Sequence, residues 1–297
     1  MTERPDQSPI TSPRSERVRK VAALAGRSAR RKQGRFRAEG PQAVRSLLAH
    51  RPELALEVFS TPRARTDHPE LAELAAAAGI PVREVDEAVL RAMVRESGTD
   101  PEPGAAAAPG ALVTPQGVLA VGALPAQGPA DAAAALSALP TGSPVTVVVL
   151  HEVRDPGNVG TLLRTADAAG ADLVLLTRTS ADPYSPKAVR AAAGSLFHLP
   201  VVTGAEIADV LERLAAADVT AAATSGRAEM DVFTAALPPR LAWILGNEAH
   251  GLDERTLSAA PLAVRIPLAG HAESLNVHTA ATVCLFETLR RRQTARR

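Results

Sequence analysis

The chain has a single cysteine, Cys284, among its 297 residues, which excludes an internal disulfide framework and every zinc site built from several thiolates. None of its seven histidines form a pair at H-E-x-x-H spacing, so no metal is expected. Aromatic residues are scarce. One Trp, one Tyr and five Phe are too few for the stacking platforms on which many single-strand binders rely. No apolar run approaches the ~18 residues of a membrane span; VTVVVL at 145–150 and LVLL at 173–176 are strand-sized. The opening MTERPDQSPITSPRSER is charged and proline-bearing without an apolar centre, so it does not read as a secretory signal, and a cytoplasmic protein without a membrane partner is expected. Lysine is nearly missing: Lys20, Lys32 and Lys187 are the three among 33 basic residues. Arginine richness by itself is therefore a weak sign of phosphate binding.

A hydrophobic content of 46% over this length supports packed cores in two domains. The net charge of +1 is a cancellation. Residues 1–37 carry eleven Arg or Lys against Glu3, Asp6 and Glu16, a net of +8, which leaves 22 positive and 29 negative charges over 38–297, a net of −7. The last eight residues, RRRQTARR, add five arginines. Clustered positive charge attracts a polyanion; within it Arg30, Arg31, Lys32, Arg35 and Arg37 are the densest group and are expected to contact RNA phosphates.

The pattern divides the chain into a basic disordered tail over 1–15, a small α/β domain over 16–123, a linker over 124–143 and a larger α/β domain over 144–297. In the first domain, residues 16–31 have helical composition, and Phe36, Val44, Leu47 and Leu48 are placed on one face of a helix begun near Gly40-Pro41. Strands are expected at 54–59, 82–85 and 118–121, helices at 69–78 and 87–95, and a loop at DPEPGAAAAPG (100–110). PAQGPADAAAALSALPTGSP reads as the linker. From 145 on, the continuous β-branched run VTVVVL is typical of a parallel strand buried on both faces. Further strands are expected at 172–176, 197–202, 219–224, 241–245 and 262–266. Helices fall between them, which predicts a doubly wound parallel sheet. A last helix from 276 to about 292 places Cys284 in the core as a packing residue.

In open α/β sheets, ligands bind outside the carboxyl ends of strands, and three such ends are unusual here. HEVRDPGNVGTLLRTADAAGAD follows VTVVVL; Gly157 and Gly160 permit close backbone approach, Asn158 can brace the loop, and Arg164 lies six residues on. LGNEAHGLDE follows LAWIL and sets Gly246, Asn247, Glu248 and Gly251 in a tight polar turn. IPLAGHAESLNVHTAA carries Gly270, Ser274, Leu275 and Asn276; Ser274 or Asn276 can equally cap the final helix. No dinucleotide G-x-G-x-x-G or Walker lysine accompanies these loops, which disfavours a nicotinamide-dependent oxidoreductase.

Taken in order, N-x-G-x-x-x-R, L-G-N-E-x-x-G-L and I-P-x-x-G-x-x-x-S-L-N-V resemble the three motifs of the SpoU (TrmH) family of RNA 2′-O-ribose methyltransferases, within the SPOUT superfamily, over about 145–290. Ser185-Pro186-Lys187, Arg190 and AAGSLFHLPV are similar to the family's segment between the first two motifs, and residues 35–121 resemble the ribosomal-protein-like RNA-binding domain of members that act on large-subunit rRNA. Two positions depart from the pattern: Ala249 stands where glycine is usual, and His278 where a small residue follows N-V.

The resemblance implies a SPOUT domain with a parallel sheet and a deep trefoil knot. It also implies S-adenosyl-L-methionine held mainly by backbone groups around Leu245, Gly246, Ile266, Leu268 and Leu275, with Asn247, Ser274 and Asn276 beside them. It further implies a homodimer in which the Arg164 of one subunit completes the other's site. The catalytic set it suggests is Asn158, Arg164, Glu248, Ser274 and Asn276, with Glu248 as a possible proton acceptor. Methylation of a ribose 2′-hydroxyl in 23S rRNA is the favoured activity. The alternatives are a tRNA ribose methyltransferase and a non-catalytic RNA-binding or ribosome-assembly protein of the same fold.

Overall fold

The computed structural model describes residues 10, 12–95, 116–126 and 128–295. Most of the expected tail over 1–15 and the Pro/Gly-rich loop at 100–110 lie outside the described residues. The chain forms two compact units, Met1–Pro125 with Tyr184–Arg190, and Ala126–Pro183 with Ala191–Arg297.

The first unit runs α1 (Glu16–Ala23), α2 (Arg27–Gln33), β1 (Arg35–Glu39), α3 (Pro41–His50), β2 (Ala55–Ser60), α4 (Pro62–Asp67), α5 (Pro69–Ala77), β3 (Val82–Glu84), α6 (Glu87–Val94) and β4 (Val118–Ala123). Its sheet has the order β1-β4-β2-β3, antiparallel except for the β2–β3 pair. Ser15 caps α1, and Val18, Val21 and Leu24 sink that helix into a core with Phe59, Val89, Leu90, Met93 and Leu119. Part of the basic segment is therefore structural. Phe36 belongs to a strand that helical periodicity had hidden: it is fully buried, opposite Gly122 on β4 and 5.0 Å between ring centroids from Tyr184. A Cβ on Gly122 would come within 2.4 Å of the Phe36 ring.

Arg30 and Arg37 correct the expected phosphate-binding group. Both are buried, at 2% and 0% exposure. Arg30 donates to the carbonyls of Leu24 and Ala25 at 2.9 and 2.7 Å. Arg37 donates to the Val94 carbonyl at 2.8 Å and to that of Met93, and it pairs with Glu39 at 2.9 Å. Carbonyl groups at helix ends need donors, and these guanidiniums serve them from the inside. Arg31, Lys32 and Arg35 stay exposed.

The second unit contains α7 (Pro129–Ser137), β5 (Val145–Leu150), α8 (Pro156–Ala168), β6 (Leu173–Thr177), α9 (Pro186–Ala192, whose first residues belong to the other unit), β7 (Val201–Ala205), α10 (Ile207–Ala216), β8 (Thr220–Thr224), β9 (Met230–Asp231), β10 (Arg240–Leu245), α11 (Glu254–Ala259), β11 (Leu262–Arg265) and α12 (Val277–Ala295). Seven strands in the order β7-β6-β5-β10-β8-β11-β9 form the sheet, and every pair is parallel. The expected linker over 124–143 is in part the helix α7. Its alanines favour helix, proline at its first turn is tolerated, and Ala132 and Leu136 join the core with Val147, Leu175, Val210 and Ile244. The strand expected at 197–202 begins only after Pro200, because a 3-10 turn occupies Ser195–Phe197.

On the sheet's other face, Trp243 is fully buried and its Nε1 donates to Thr288 of α12 at 3.0 Å. Cys284 is buried one turn earlier, and burial pushes its thiol up to about 12, which makes it a packing group and not a nucleophile. Farther along α12, Arg291 donates to the carbonyls of Ala235 and Val232, clamping the segment after β9. Glu287, 5% exposed, holds that arginine and Arg290.

Two outcomes follow from this packing. Gly122→Ala forces the Phe36 ring out of place and lowers unfolding free energy by about 1–3 kcal/mol in urea titration. Hydrogen bonds from Arg290 and then Arg291, against the opposing effect of burial, hold the Glu287 carboxyl down at about 2. Since the folded value lies below the unfolded one, this contribution is complete above the ordinary glutamate range and is lost as pH falls toward about 2. Glu287→Gln lowers the melting temperature at pH 7 and narrows the gap from wild type as the pH is lowered, measured by circular dichroism.

Candidate functional site

The loops singled out in the sequence leave neighbouring strands at the same edge. β5 and β10 pair in register through Leu150 and Leu245. β10 borders β8, and β8 borders β11. All these strands are parallel, so their carboxyl ends share one rim.

Two reciprocal hydrogen bonds lace the loop after β5 to the loop after β10. Asn247, 8% exposed, donates from Nδ2 to the Glu152 carbonyl at 2.9 Å. Asn158 donates from Nδ2 to Glu248 Oε1 at 3.0 Å. Glu248 also accepts from the backbone N–H groups of Arg154 and Asp155, both at 3.2 Å. Partial burial works to raise this carboxyl, but the donors outweigh it, Asn158 foremost, and hold it below the usual carboxylate range. A carboxylate with donors on both oxygens is a poor proton acceptor. Glu248 thus ties the first loop to the second through donors on both of its oxygens. Glu152 sits at φ 57°, a left-handed conformation uncommon outside glycine, and its N–H donates to Thr177 at 3.1 Å.

The turn after β10 is equally constrained. Asn247 and Gly251 exchange both backbone hydrogen bonds, at 3.0 and 2.9 Å, while Asn247 Oδ1 accepts from the N–H of Ala249 at 2.8 Å. The turn closes with alanine at 249. Glycine is required at 246, where a Cβ would meet the Gly251 carbonyl carbon at 2.4 Å.

Beside this turn lies a cleft of about 520 Å³. Leu245, Gly246 and Asn247 line it from the β10 loop, with Glu248; Ile266 and Leu268 line it from the β11 loop, followed by Ser274 and Leu275. The expected cofactor set thus converges on one cavity, with Asn276 as the exception. Asn276 Oδ1 accepts from the N–H of His278 at 2.8 Å, so its side chain caps α12.

Asn158 and Arg164 do not line the cleft. Asp155 caps α8 by accepting from Asn158 N at 2.9 Å, which puts Asn158 in the first turn. Six residues on, at 3.6 residues per turn, Arg164 faces a different direction. It is exposed, and among the described residues it has no hydrogen-bond or ion-pair partner. Its neighbour Thr165 meets His278 Nε2 at 2.9 Å. The departure at 278 therefore ties α12 to the helix that carries Arg164.

A fourth contributor lies outside the three motif loops. Thr224, Ser225, Gly226 and Arg227, at the end of β8, also line the cleft. The signal was present in the T-S-G-R that ends the strand VTAAAT, between the strands of the second and third loops.

Two family models match the chain: the SpoU rRNA Methylase family over residues 145–286 and the RNA 2′-O ribose methyltransferase substrate-binding domain over 37–101. The 23S rRNA (guanosine-2′-O-)-methyltransferase RlmB of Pseudomonas putida is 36% identical over 156 residues, 52% of this chain and 63% of that protein; the chain spans less than two thirds of the length of such curated relatives. The crystal structure of an AdoMet-bound rRNA methyltransferase from Sinorhizobium meliloti superposes with a TM-score of 0.76 at 30% identity, covering 96% of this chain and 98% of that one. The SpoU methyltransferase AviRb from Streptomyces viridochromogenes, in complex with AdoMet, superposes with a TM-score of 0.72 at 26% identity, covering 94% and 98%. By motif order, loop placement and similarity across nearly the whole chain, the protein belongs to the SpoU rRNA methylase family.

Proposed function

We propose that the protein is an S-adenosylmethionine-dependent RNA 2′-O-methyltransferase acting on large-subunit (23S) rRNA in the cytoplasm. The observation that carries this reading is the cleft at the joined carboxyl ends of β8, β10 and β11, lined by the second and third motif loops. The donor set suits this cofactor. Leucine, isoleucine and valine side chains form an apolar wall for an adenine ring, and Gly246 lies so close to Gly251 that the loop presents backbone where a side chain would intrude.

Bound there, S-adenosylmethionine supplies an electrophilic methyl group on a sulfonium. The chain's own residues supply position and charge. Asn158 and Glu248 hold the first loop against the second. The Ser274 hydroxyl, on the lining of the cleft, can orient a ribose. The role of Arg164 in this reading is to position an RNA phosphate and stabilise negative charge growing on the 2′-oxygen. That Arg164 is exposed, without a partner among the described residues and outside its own cleft supports a place for it in the site of a second copy in a homodimer. The family's trefoil knot is part of the same reading.

In the small domain the exposed Arg31, Lys32 and Arg35 contact phosphates that position the RNA without reading its sequence.

Arg164→Ala lowers methylation of 23S rRNA, followed with labelled cofactor, by about 100- to 1000-fold and leaves cofactor binding intact. Mixing this variant with a chain whose cleft is filled by Gly246→Val restores activity if the arginine acts across the dimer; normal activity in Arg164→Ala alone would remove it from the mechanism. Replacing Arg31, Lys32 and Arg35 by Gln weakens rRNA binding and flattens its salt dependence, by about 0.7–0.9 in the log–log slope per lost phosphate contact. An unchanged slope would make these residues bystanders.

A further inference from the structure

β8 lies between β10 and β11, so the loop leaving it emerges in the middle of the rim. This loop is a fixed turn. Ser225 N donates to the Val264 carbonyl of β11 at 3.0 Å, Ala228 N donates to the Ser225 carbonyl at 3.1 Å, and Arg227 N donates to Ser225 Oγ at 3.2 Å. The backbone that carries Arg227 is thereby anchored while its side chain is exposed on the lining of the cleft. Among the described residues no other arginine or lysine lines the cleft, and no carboxylate pairs with Arg227. Two carboxylates share the lining, Glu273 and Glu248, and Glu248 already holds Asn158 and two backbone N–H groups.

We propose that Arg227 anchors the α-carboxylate of S-adenosylmethionine. The inference rests on the reading of the cleft as the cofactor site and adds a residue that none of the three motifs contains. The argument is one of charge. The cofactor bears a cationic sulfonium, a cationic amino group and one anion, its carboxylate. A single unpaired guanidinium on the wall is repelled by the first two and attracted by the third. Arginine's planar fork matches a carboxylate with two parallel hydrogen bonds. The apolar wall of leucines takes the other end of the molecule, so Arg227 fixes which way round the cofactor lies.

Calorimetric titration of the full chain tests this with three ligands: S-adenosylmethionine, S-adenosylhomocysteine, which keeps the carboxylate, and 5′-methylthioadenosine, which lacks it. Arg227→Gln is expected to weaken the first two by about 10- to 100-fold and to leave 5′-methylthioadenosine unchanged, with Arg227→Lys intermediate. Equal weakening of all three ligands would make Arg227 a structural support of the turn and overturn the proposal. Unchanged cofactor affinity with a raised KM for rRNA would assign the guanidinium to an RNA phosphate and overturn it as well. If the wild-type chain binds none of the three, the cofactor reading itself falls. A melting curve of each variant separates loss of folding from loss of binding.

Discussion

The structure of the larger unit depends on the parallel pairing of β5 and β10. Every residue of β5 is buried, and Trp243, Ile244 and Leu245 of β10 are buried beside them. A strand enclosed on both faces cannot slip by one residue without moving its whole apolar set. Its register therefore fixes where its carboxyl end lies. That end sets the loop after Leu150 against the loop after Leu245, where two asparagines, each bonding into the other loop, convert adjacency into a rigid rim. The strained φ of Glu152 persists because its N–H and carbonyl are both held, by Thr177 and Asn247.

This lacing separates two kinds of polar residue that look alike in a motif. Asn247, Glu248 and Asn158 are largely occupied with one another and with backbone groups, so their contribution is to shape the cleft. Ser274, Arg227 and Arg164 have no side-chain partner among the described residues. A reaction that needs an acceptor oxygen held in line with a methyl donor requires little else from the protein: a fixed cavity, an oriented ribose and a positive charge.

The small unit shows the same division among its arginines. Clustering of positive charge marks residues 30–37 as a polyanion surface, yet Arg30 and Arg37 point inward and satisfy carbonyl groups at the ends of helices, with Glu39 neutralising Arg37. Removing either guanidinium would strand buried acceptors. Of this group, Arg31, Lys32 and Arg35 stay on the surface. Charge counting cannot distinguish these cases, because burial depends on Phe36 and Arg37 lying on a strand whose partner, β4, is some eighty positions further along the chain.

By itself the sequence determined the parallel sheet and the three loops. These follow from local regularities: β-branched runs, glycine at close approaches and motifs at fixed spacing. Most of the residues that line the cleft were legible for the same reason, since residues following adjacent parallel strands converge. Tertiary structure alone decided the rest. It turned Asn276 into a helix cap, aimed Arg164 away from its own cleft, folded the supposed linker into a core helix and brought Arg227 into the wall between loops that are remote in sequence. In each case the outcome rests on strand order and helix rotation, which follow from how the whole apolar core closes, and no short segment carries that information.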